Sequence, residues 1–140
     1  MKKQITEQLE KGGHKIVDVG THVPDPPCDY PKIAYDVASK VAHEKDARGI
    51  LVCMTGIGHS IAANKVNGAY AALCYNREAA EFSRAHNNSN ILVLGSRFTP
   101  ASMIPEVVNA WISTAFDGGR HLRRVNQIKR IEQREFKSEV

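Results

Sequence analysis

A thiol stands directly ahead of a glycine-rich turn in the middle of the sequence. Cys53 ends the apolar run Gly49–Cys53, which predicts a buried strand, and open α/β sheets place their ligand crevices at the carboxyl ends of such strands. A thiol in that position can act as a general base or as a nucleophile. Free cysteine is also a common small buried hydrophobe, so the sequence leaves both roles open for Cys53.

The turn after Cys53 has the sequence Met-Thr-Gly-Ile-Gly-His-Ser over residues 54–60 and leads into a helical stretch. At such a strand-to-helix turn, the amides of Thr55–Ser60 can point outward together at the start of the helix, a geometry that binds anions and oxyanions. Strand-to-helix turns also use glycine for conformational reasons alone. The turn is therefore a candidate oxyanion site, with a purely structural role as the alternative.

A histidine and a run of amide side chains form a second candidate. His86 ends a helical stretch and is followed by Asn-Asn-Ser-Asn at residues 87–90. Such a cluster could direct a proton-transferring imidazole toward the same crevice as Cys53. Alternatively, His86 caps the helix and the asparagines adopt left-handed backbone.

Two arginines, Arg120 and Arg124, follow the glycine pair Gly118-Gly119 on one face of a predicted helix. Two guanidiniums so placed can grip a phosphate, although a solvated basic face is the usual meaning of such a run. Residues 118–140 carry seven basic and three acidic side chains and the rest of the chain carries twelve of each, so the net charge of +4 lies in the tail. This distribution argues against a broad nucleic-acid surface and for a local anion site or a charged docking helix.

Length and composition predict one soluble domain. The 140 residues are 42% hydrophobic, which suits a single core of two or three layers. No apolar run reaches the roughly 18–20 residues of a bilayer span and no secretory signal is evident at the start, so we expect a cytoplasmic protein without membrane contact. The three cysteines have spacings that fit neither a disulfide framework nor a structural zinc site.

Apolar runs and helical patterns alternate along the chain, which predicts an α/β fold with a parallel sheet covered by helices on both faces. The stretch His22–Pro31 is expected to be an ordered loop, and Trp111 and Phe116 are expected to pack inward. The predicted strands are Lys15–Val19, Gly49–Cys53, Tyr70–Cys74 and Asn90–Leu94, and the predicted helices span 2–11, 31–44, 60–66, 77–86, 100–115 and 120–137. The chain thus opens with a helix, whereas a doubly wound domain usually opens with a strand.

Taken together, these segments resemble the ribose-5-phosphate isomerase B family, which also includes the galactose-6-phosphate isomerase subunits. Cys53 and the sequence Ile-Ala-Ala-Asn-Lys at 61–65 are more similar to the ribose-5-phosphate branch. The matching segments, which occur in the family's order, are 17–21, 29–31, 49–65, 84–90, 94–97 and 118–121 with Arg124.

The resemblance implies a Rossmann-like three-layer αβα sandwich, and a homodimer or dimer of dimers with active sites shared between subunits. The implied reaction interconverts ribose 5-phosphate and ribulose 5-phosphate through a cis-enediolate, without metal or organic cofactor. Catalytic roles would fall to Cys53 as the base, to Thr55, and to His86 in ring opening. The implied substrate-binding residues are Tyr30, Met54, Gly56, Ile57, Gly58, His59, Ser60, Asn87, Arg97, Arg120, His121 and Arg124, with residues 118–140 reaching the partner subunit.

Three departures from the family pattern are evident, and the first two support an alternative. The family begins with a strand followed by an Asp-His pair, which has no counterpart in these 140 residues, so the sheet is expected to lack its first strand. Met54 stands where the family usually has glycine. His59 stands where some members place a glutamate base, although a solvent-facing position is equally open for it. The alternative is a catalytically weak or inactive sugar-phosphate-binding paralogue, or a subunit of a hetero-oligomer.

Overall fold

The computed structural model describes residues 1–22 and 28–136, and its centre is a three-stranded parallel sheet. The strands are β1 (Gly49–Cys53), β2 (Ala71–Leu73) and β3 (Ile91–Gly95), in the order β1-β3-β2. Cys53 is aligned with Gly95, so the carboxyl ends of β1 and β3 finish level. These three strands and their parallel pairing confirm the corresponding sequence predictions.

Helices cover both faces of this sheet, which confirms the αβα sandwich. Each lies within a few residues of the predicted range. In the described residues they are α1 (Lys2–Lys11), α2 (Tyr30–His43), α3 (Ile57–Ala63), α4 (Arg77–Ala85), α5 (Ile104–Ser113) and α6 (Gly119–Glu135), with a 3-10 turn, Ala101–Met103, ahead of α5.

The central strand β3 joins the two helical layers. All five of its residues are buried. Leu92 and Leu94 face the layer of α1, α4 and α5, where Trp111 is completely buried, whereas Ile91 and Val93 face the layer of α2 and α3. Because burying one large aliphatic side chain contributes about 1.5–3 kcal/mol, this strand holds the sandwich together.

The predicted strand Lys15–Val19 is wrong. The segment is irregular, and Val17 is 57% exposed. A strand persists only where a neighbour accepts its backbone hydrogen bonds, and in the described residues β1 pairs with β3 alone. The segment instead runs back along α1, where the Lys2 ammonium donates to the carbonyl of Thr21 at 2.9 Å. Its apolar pattern is typical of a strand, but it pairs with no strand of the described sheet.

The last helix, α6, is loosely attached to the rest of the chain. Of its described residues only His121 and Val125 are buried. Leu122, Ile128 and Ile131 are large apolar side chains that remain exposed. Exposed apolar side chains on one long helix are typical of a surface that another molecule covers.

The remaining sequence predictions have mixed outcomes. Residues 23–27 of the predicted loop lie outside the described residues. Trp111 packs inward as predicted, whereas Phe116 is only partly buried. Across the described residues, every helix is too short or too polar to cross a bilayer.

Candidate active site

The thiol of Cys53 lies at the carboxyl edge of the sheet, as the sequence predicts. Its side chain is partly buried, and the backbone N–H of Gly56 donates to the sulfur at 3.0 Å. The Cys53 carbonyl accepts from the N–H of Ser96 at 2.8 Å, which fixes the end of β1 against the turn after β3. The sulfur therefore occupies a fixed position with a backbone donor aimed at it.

Two glycines let the turn after Cys53 fold this tightly. Gly56 has a φ of 81°, which residues with side chains rarely adopt, and a Cβ there would collide with the side chain of Leu73. A Cβ at Gly95 would collide with the carbonyl group of Thr55. Glycine therefore does have a conformational role in this turn. Because neither position carries a side chain, the amides of the turn also remain uncovered.

The first turn of α3, which follows Cys53 closely in the chain, has backbone N–H groups without backbone acceptors among the described residues. The N–H of Ile57 donates to Thr55 Oγ1 at 3.3 Å. The amides of Gly58 and His59 lie in the first helical turn, where the helix supplies no acceptor, and no other backbone acceptor occurs for them in residues 1–22 and 28–136. These two groups, called the turn amides below, are preorganised donors for a negative oxygen.

Other side chains border the crevice. A Cβ at Gly58 would lie 2.6 Å from the ring of Tyr30, so Tyr30 packs directly on the turn. Met54 is 69% exposed, and its carbonyl accepts from the N–H of Arg97 at 2.8 Å, which anchors the exposed Arg97 beside it. Of the predicted site residues, those joined to the turn after Cys53 by sequence or by these contacts are Tyr30, Met54, Thr55, Gly56, Ile57, Gly58, His59, Ser60 and Arg97.

The solvent-facing position left open for His59 is wrong. His59 is 4% exposed, and its ring packs edge to face on Tyr30 with the centroids 5.7 Å apart. Neither ring nitrogen has a hydrogen-bond partner among the described residues. Burial lowers the pKa of His59 because the imidazolium form loses its hydration. A neutral imidazole with two unpartnered nitrogens is therefore enclosed beside the turn amides.

A second cluster forms around His86. The ring of His86 stacks on Phe82 at 4.7 Å and on His121 at 4.1 Å, with the two imidazoles nearly parallel. Asn87 is exposed next to it. His121 is buried, and this burial together with His86 and Arg120 lowers the pKa of His121. At neutral pH His121 is thus held mainly uncharged, and it lies beside the exposed Arg120 and Arg124 of the same helix.

The two clusters lie at opposite edges of the sheet. His86 follows α4, which runs from the carboxyl end of β2 back to the amino end of β3, whereas Cys53 is level with the carboxyl end of β3. The five residues of β3 alone span about 13 Å. The expectation that His86 faces the same crevice as Cys53 is therefore wrong within one chain. A helix that connects two parallel strands ends near the amino end of the second strand, and Cys53 lies at the carboxyl end.

One group of side chains in the described residues has the composition of a metal site. The ligand atoms of His86, Asp117 and His121 lie within 4.8 Å of one another. Imidazole and carboxylate suit a divalent transition metal. Arg120 and Arg124, whose charges act on His121, oppose a cation here and favour an oxyanion.

A buried arginine, which the resemblance included in segment 84–90 without giving it a role, organises the turn beside His86. Arg84 is 7% exposed, and its guanidinium donates to the Ser89 carbonyl and, at 3.0 Å, to Asn88 Oδ1. Asn88 has a φ of 51°, the left-handed backbone expected for an asparagine after a helix. Ser89 Oγ accepts from the indole N–H of Trp111 at 2.9 Å. The signals for Arg84 were its place at the start of the matching segment 84–90 and its position just ahead of this asparagine run.

Comparison with known proteins assigns the fold to a family. A family model described as "Ribose/Galactose Isomerase" matches residues 1–128. Ribose-5-phosphate isomerase B of Escherichia coli is 41% identical over 134 residues, which cover 96% of this chain and 89% of that protein. D-erythrulose-4-phosphate isomerase of Pectobacterium atrosepticum is 36% identical over 135 residues, with 96% and 89% covered. The crystal structure of ribose-5-phosphate isomerase B from Mycoplasma genitalium with bound ribulose-5-phosphate is 42% identical, with a TM-score of 0.90 over 94% of this chain and 87% of that one.

Proposed function

The chain belongs to the ribose/galactose isomerase family of sugar phosphate isomerases, and we propose that it interconverts ribose 5-phosphate and ribulose 5-phosphate with Cys53 as the base. The observation that carries the proposal is the hydrogen bond from the Gly56 N–H to the Cys53 sulfur, because Gly56 immediately precedes the helical turn that contains the turn amides. Proton abstraction beside a carbonyl needs a positioned base and a stabilised oxyanion at once, and this edge of the sheet supplies both.

In the proposed reaction the Cys53 thiolate removes the proton from C2 of the open-chain aldose. The electrons of that C–H bond form the C1–C2 double bond, and the carbonyl oxygen O1 takes the negative charge. The amides of Gly58 and His59 stabilise this enediolate oxygen, which is where fixed donors have their largest effect. A proton passes from O2 to O1, the thiol returns its proton to C1, and the C2–O2 bond becomes the ketose carbonyl. No atom is gained or lost, so the cysteine is regenerated without a cofactor.

Ring opening and phosphate binding need groups that lie at the other edge of the sheet in the same chain. We therefore propose a homodimer, alone or paired as a dimer of dimers, in which each crevice receives the partner subunit's His86, Asn87, Arg120 and Arg124. His86 would exchange the proton of the anomeric hydroxyl, and the arginines with Arg97 would hold the phosphate by bidentate hydrogen bonds. The exposed Leu122, Ile128 and Ile131 of α6 supply apolar surface for the contact.

Met54 supports the alternative of a weakly active sugar-phosphate-binding subunit. Its side chain is 69% exposed, the largest value for a large apolar residue within 1–22 and 28–136, and it directly follows Cys53. A flexible thioether there competes with the sugar for space. The same crowding would favour a shorter sugar, so a tetrose phosphate belongs among the substrates to be tested.

A coupled assay for ribulose 5-phosphate formation tests the proposal. We expect turnover with ribose 5-phosphate, and a loss of about 10²–10⁴-fold in Cys53→Ala, because removing a general base typically costs that much. Ribose 5-phosphate should still bind Cys53→Ala in calorimetry. Cys28→Ala is the matched control, since Cys28 is an exposed thiol. Binding without turnover in the unsubstituted chain would favour the alternative, and faster turnover of D-erythrulose 4-phosphate would reassign the substrate.

A further inference from the structure

A cavity of about 590 Å³, called the amino-edge cavity below, lies where the three strands begin. Arg48, Tyr70 and Asn90 line it, and each of them stands one residue ahead of a strand. Lys129 of α6 also lines it. The carboxyl ends of the strands, where Cys53 lies, are the usual place for the ligand crevice of an open α/β sheet. The amino-edge cavity is therefore a second concave surface, separate from the crevice of Cys53.

Arg84 brings a buried positive charge to this cavity. The residue is 7% exposed and belongs to the lining. Its Nη1 donates to the Ser89 carbonyl and to Asn88 Oδ1, and its Nε donates to the Thr114 carbonyl at 3.4 Å. Within residues 1–22 and 28–136, Nη2 has no acceptor and the guanidinium has no carboxylate partner. A buried cation without a counter-charge is costly, so an anion beside Arg84 would be stabilised.

Two further cations belong to the same lining. Arg48 lies over the ring of Trp111, 5.6 Å from its centroid, and donates to the Ile112 carbonyl at 2.8 Å. Burial and the charge of Arg48 both lower the pKa of Arg84, because a desolvated guanidinium and a like charge nearby each disfavour the protonated form. Lys129 is exposed on α6, and neither it nor Arg48 forms an ion pair in the part of the chain that the structure describes.

The chain's own negative groups only partly neutralise these cations. The two guanidiniums donate to carbonyls at the end of α5, where a helix carries about half of one negative charge. Both carboxylate oxygens of Glu132 are already occupied, one by the Gly68 N–H and the other by the Tyr70 hydroxyl, each at 2.8 Å. Asp46 is the other acid of the described lining and is exposed to solvent. Three cations thus stand against two carboxylates.

We infer that the amino-edge cavity binds a phosphate group, with Arg48, Arg84 and Lys129 as the residues that hold it. A phosphate dianion matches this excess of positive charge better than a carboxylate does, and guanidiniums supply the paired N–H donors that phosphate oxygens accept. The volume lies within the roughly 300–1,000 Å³ of small-molecule sites, so a free phosphate ion and the phosphate group of a small ester both fit. This site is additional to the phosphate grip proposed at the crevice of Cys53, and it does not depend on the isomerase activity.

Trp111 can report on the amino-edge cavity, because it is the single tryptophan and Arg48 lies over its ring. Inorganic phosphate and glycerol 3-phosphate, which has no carbonyl to isomerise, are titrated separately at constant ionic strength, with acetate as the carboxylate control. We expect a saturable change in fluorescence with both phosphates and none with acetate. Tighter binding of the ester would assign the site to phosphate esters, and tighter binding of inorganic phosphate would assign it to the free ion.

Two variants of α6 form a matched pair. Lys129→Gln and Arg123→Gln each remove one exposed positive charge, but only Lys129 lines the cavity. We expect phosphate affinity to fall at least about fivefold in Lys129→Gln and to stay within about twofold of the parent in Arg123→Gln. Arg48→Gln should weaken binding at least about tenfold, measured by calorimetry because this substitution also alters the reporter. The fluorescence change should persist in Arg124→Ala, which weakens only the proposed crevice.

The inference fails on any of three results. The first is the absence of a saturable change in Trp111 fluorescence with either phosphate. The second is an equal response to acetate, which would reduce the site to general ionic attraction. The third is loss of the fluorescence change in Arg124→Ala together with equal affinities of Lys129→Gln and Arg123→Gln, which would assign the bound phosphate to the crevice of Cys53.

Discussion

Subunit complementation tests the separation of Cys53 from His86 and Arg124 directly. Two variants, Cys53→Ala and Arg124→Ala, should each be strongly impaired as pure dimers, since every crevice then lacks either its base or part of its phosphate grip. A mixed dimer is different: one of its crevices carries both substitutions and the other carries neither. The intact crevice exists only if Cys53 and Arg124 act from different chains.

The expected recovery follows from counting. Random reassortment of equal amounts of the two variants makes about half of the dimers mixed, and each has one intact site of two, so activity should return to about one quarter of the parent level. The proteins are unfolded together in urea, refolded, and assayed for ribulose 5-phosphate formation against separately refolded controls. A mixture of Cys53→Ala with Cys28→Ala is the reference for recovery after refolding. It should retain about half of the parent activity whether the site is shared between chains or lies within one chain.

A single-chain site gives another result. If Cys53 and Arg124 served the same crevice from one chain, every site in a mixed dimer would carry one defect, and refolding together would restore nothing. Recovery no greater than the sum of the two separate activities, with mixed dimers verified by mass spectrometry, would refute the argument from the two edges of the sheet.

Three further predictions concern stability. Gly95→Ala places a Cβ against the carbonyl of Thr55 and should lower the free energy of unfolding by about 1–3 kcal/mol in urea titrations. Burial lowers the pKa of His59, so below pH about 6.5 the unfolded chain binds a proton at this residue that the folded chain resists. The free energy of unfolding should therefore fall on acidification by up to about 1.4 kcal/mol per pH unit. His59→Leu should remove this contribution to the pH dependence. Ser89→Ala leaves the buried indole N–H of Trp111 without its acceptor and should cost about 1–3 kcal/mol, read from thermal or urea unfolding.

Matched controls for these three substitutions come from the same chain. Gly12→Ala changes a glycine with a φ of −78°, which alanine adopts freely, and its Cβ would come no closer than 3.3 Å to a neighbour, so the loss should be much smaller than at Gly95. His14→Leu removes an exposed imidazole and should leave the acid slope unchanged. Ser113→Ala removes a surface hydroxyl that donates to a carbonyl of its own helix. Equal losses from a substitution and its control would contradict the reason given for it.

Local pattern was sufficient for the elements that carry the thiol. The apolar run ending at Cys53, the glycines at 56 and 58 and the following helix each have a short-range cause, so strand, turn and helix were all predictable. The family resemblance then supplied roles that no pattern could give. The burial of His59 was not predictable, because it depends on Tyr30, which approaches from a distant part of the chain.

Two of the sequence predictions failed for the same physical reason. Local sequence patterns do not determine the direction in which an element runs or which elements lie beside it. Lys15–Val19 has the composition of a strand, but strand formation depends on a ladder partner that the described sheet does not provide. His86 was expected to face the same crevice as Cys53 because its cluster precedes a strand that leads into a helix, yet the cluster adjoins the amino end of β3 and Cys53 is level with its carboxyl end. The direction of α4 between two parallel strands is by itself enough to place His86 at the amino end.

The proposed division of the active site between two subunits gives the basic charge of α6 a physical meaning. Arg120 and Arg124 are exposed and lie far from Cys53 in their own chain, where two adjacent guanidiniums repel each other and depress the pKa of His121. A phosphate dianion held between them and Arg97 would relieve that repulsion and gain charge-assisted hydrogen bonds, so phosphate and assembly should stabilise each other. Inorganic phosphate should therefore shift the monomer–dimer equilibrium toward the dimer in analytical ultracentrifugation, and Arg124→Ala should abolish the shift. An equilibrium indifferent to phosphate in the parent chain would mean that the arginines of α6 serve a surface other than the crevice.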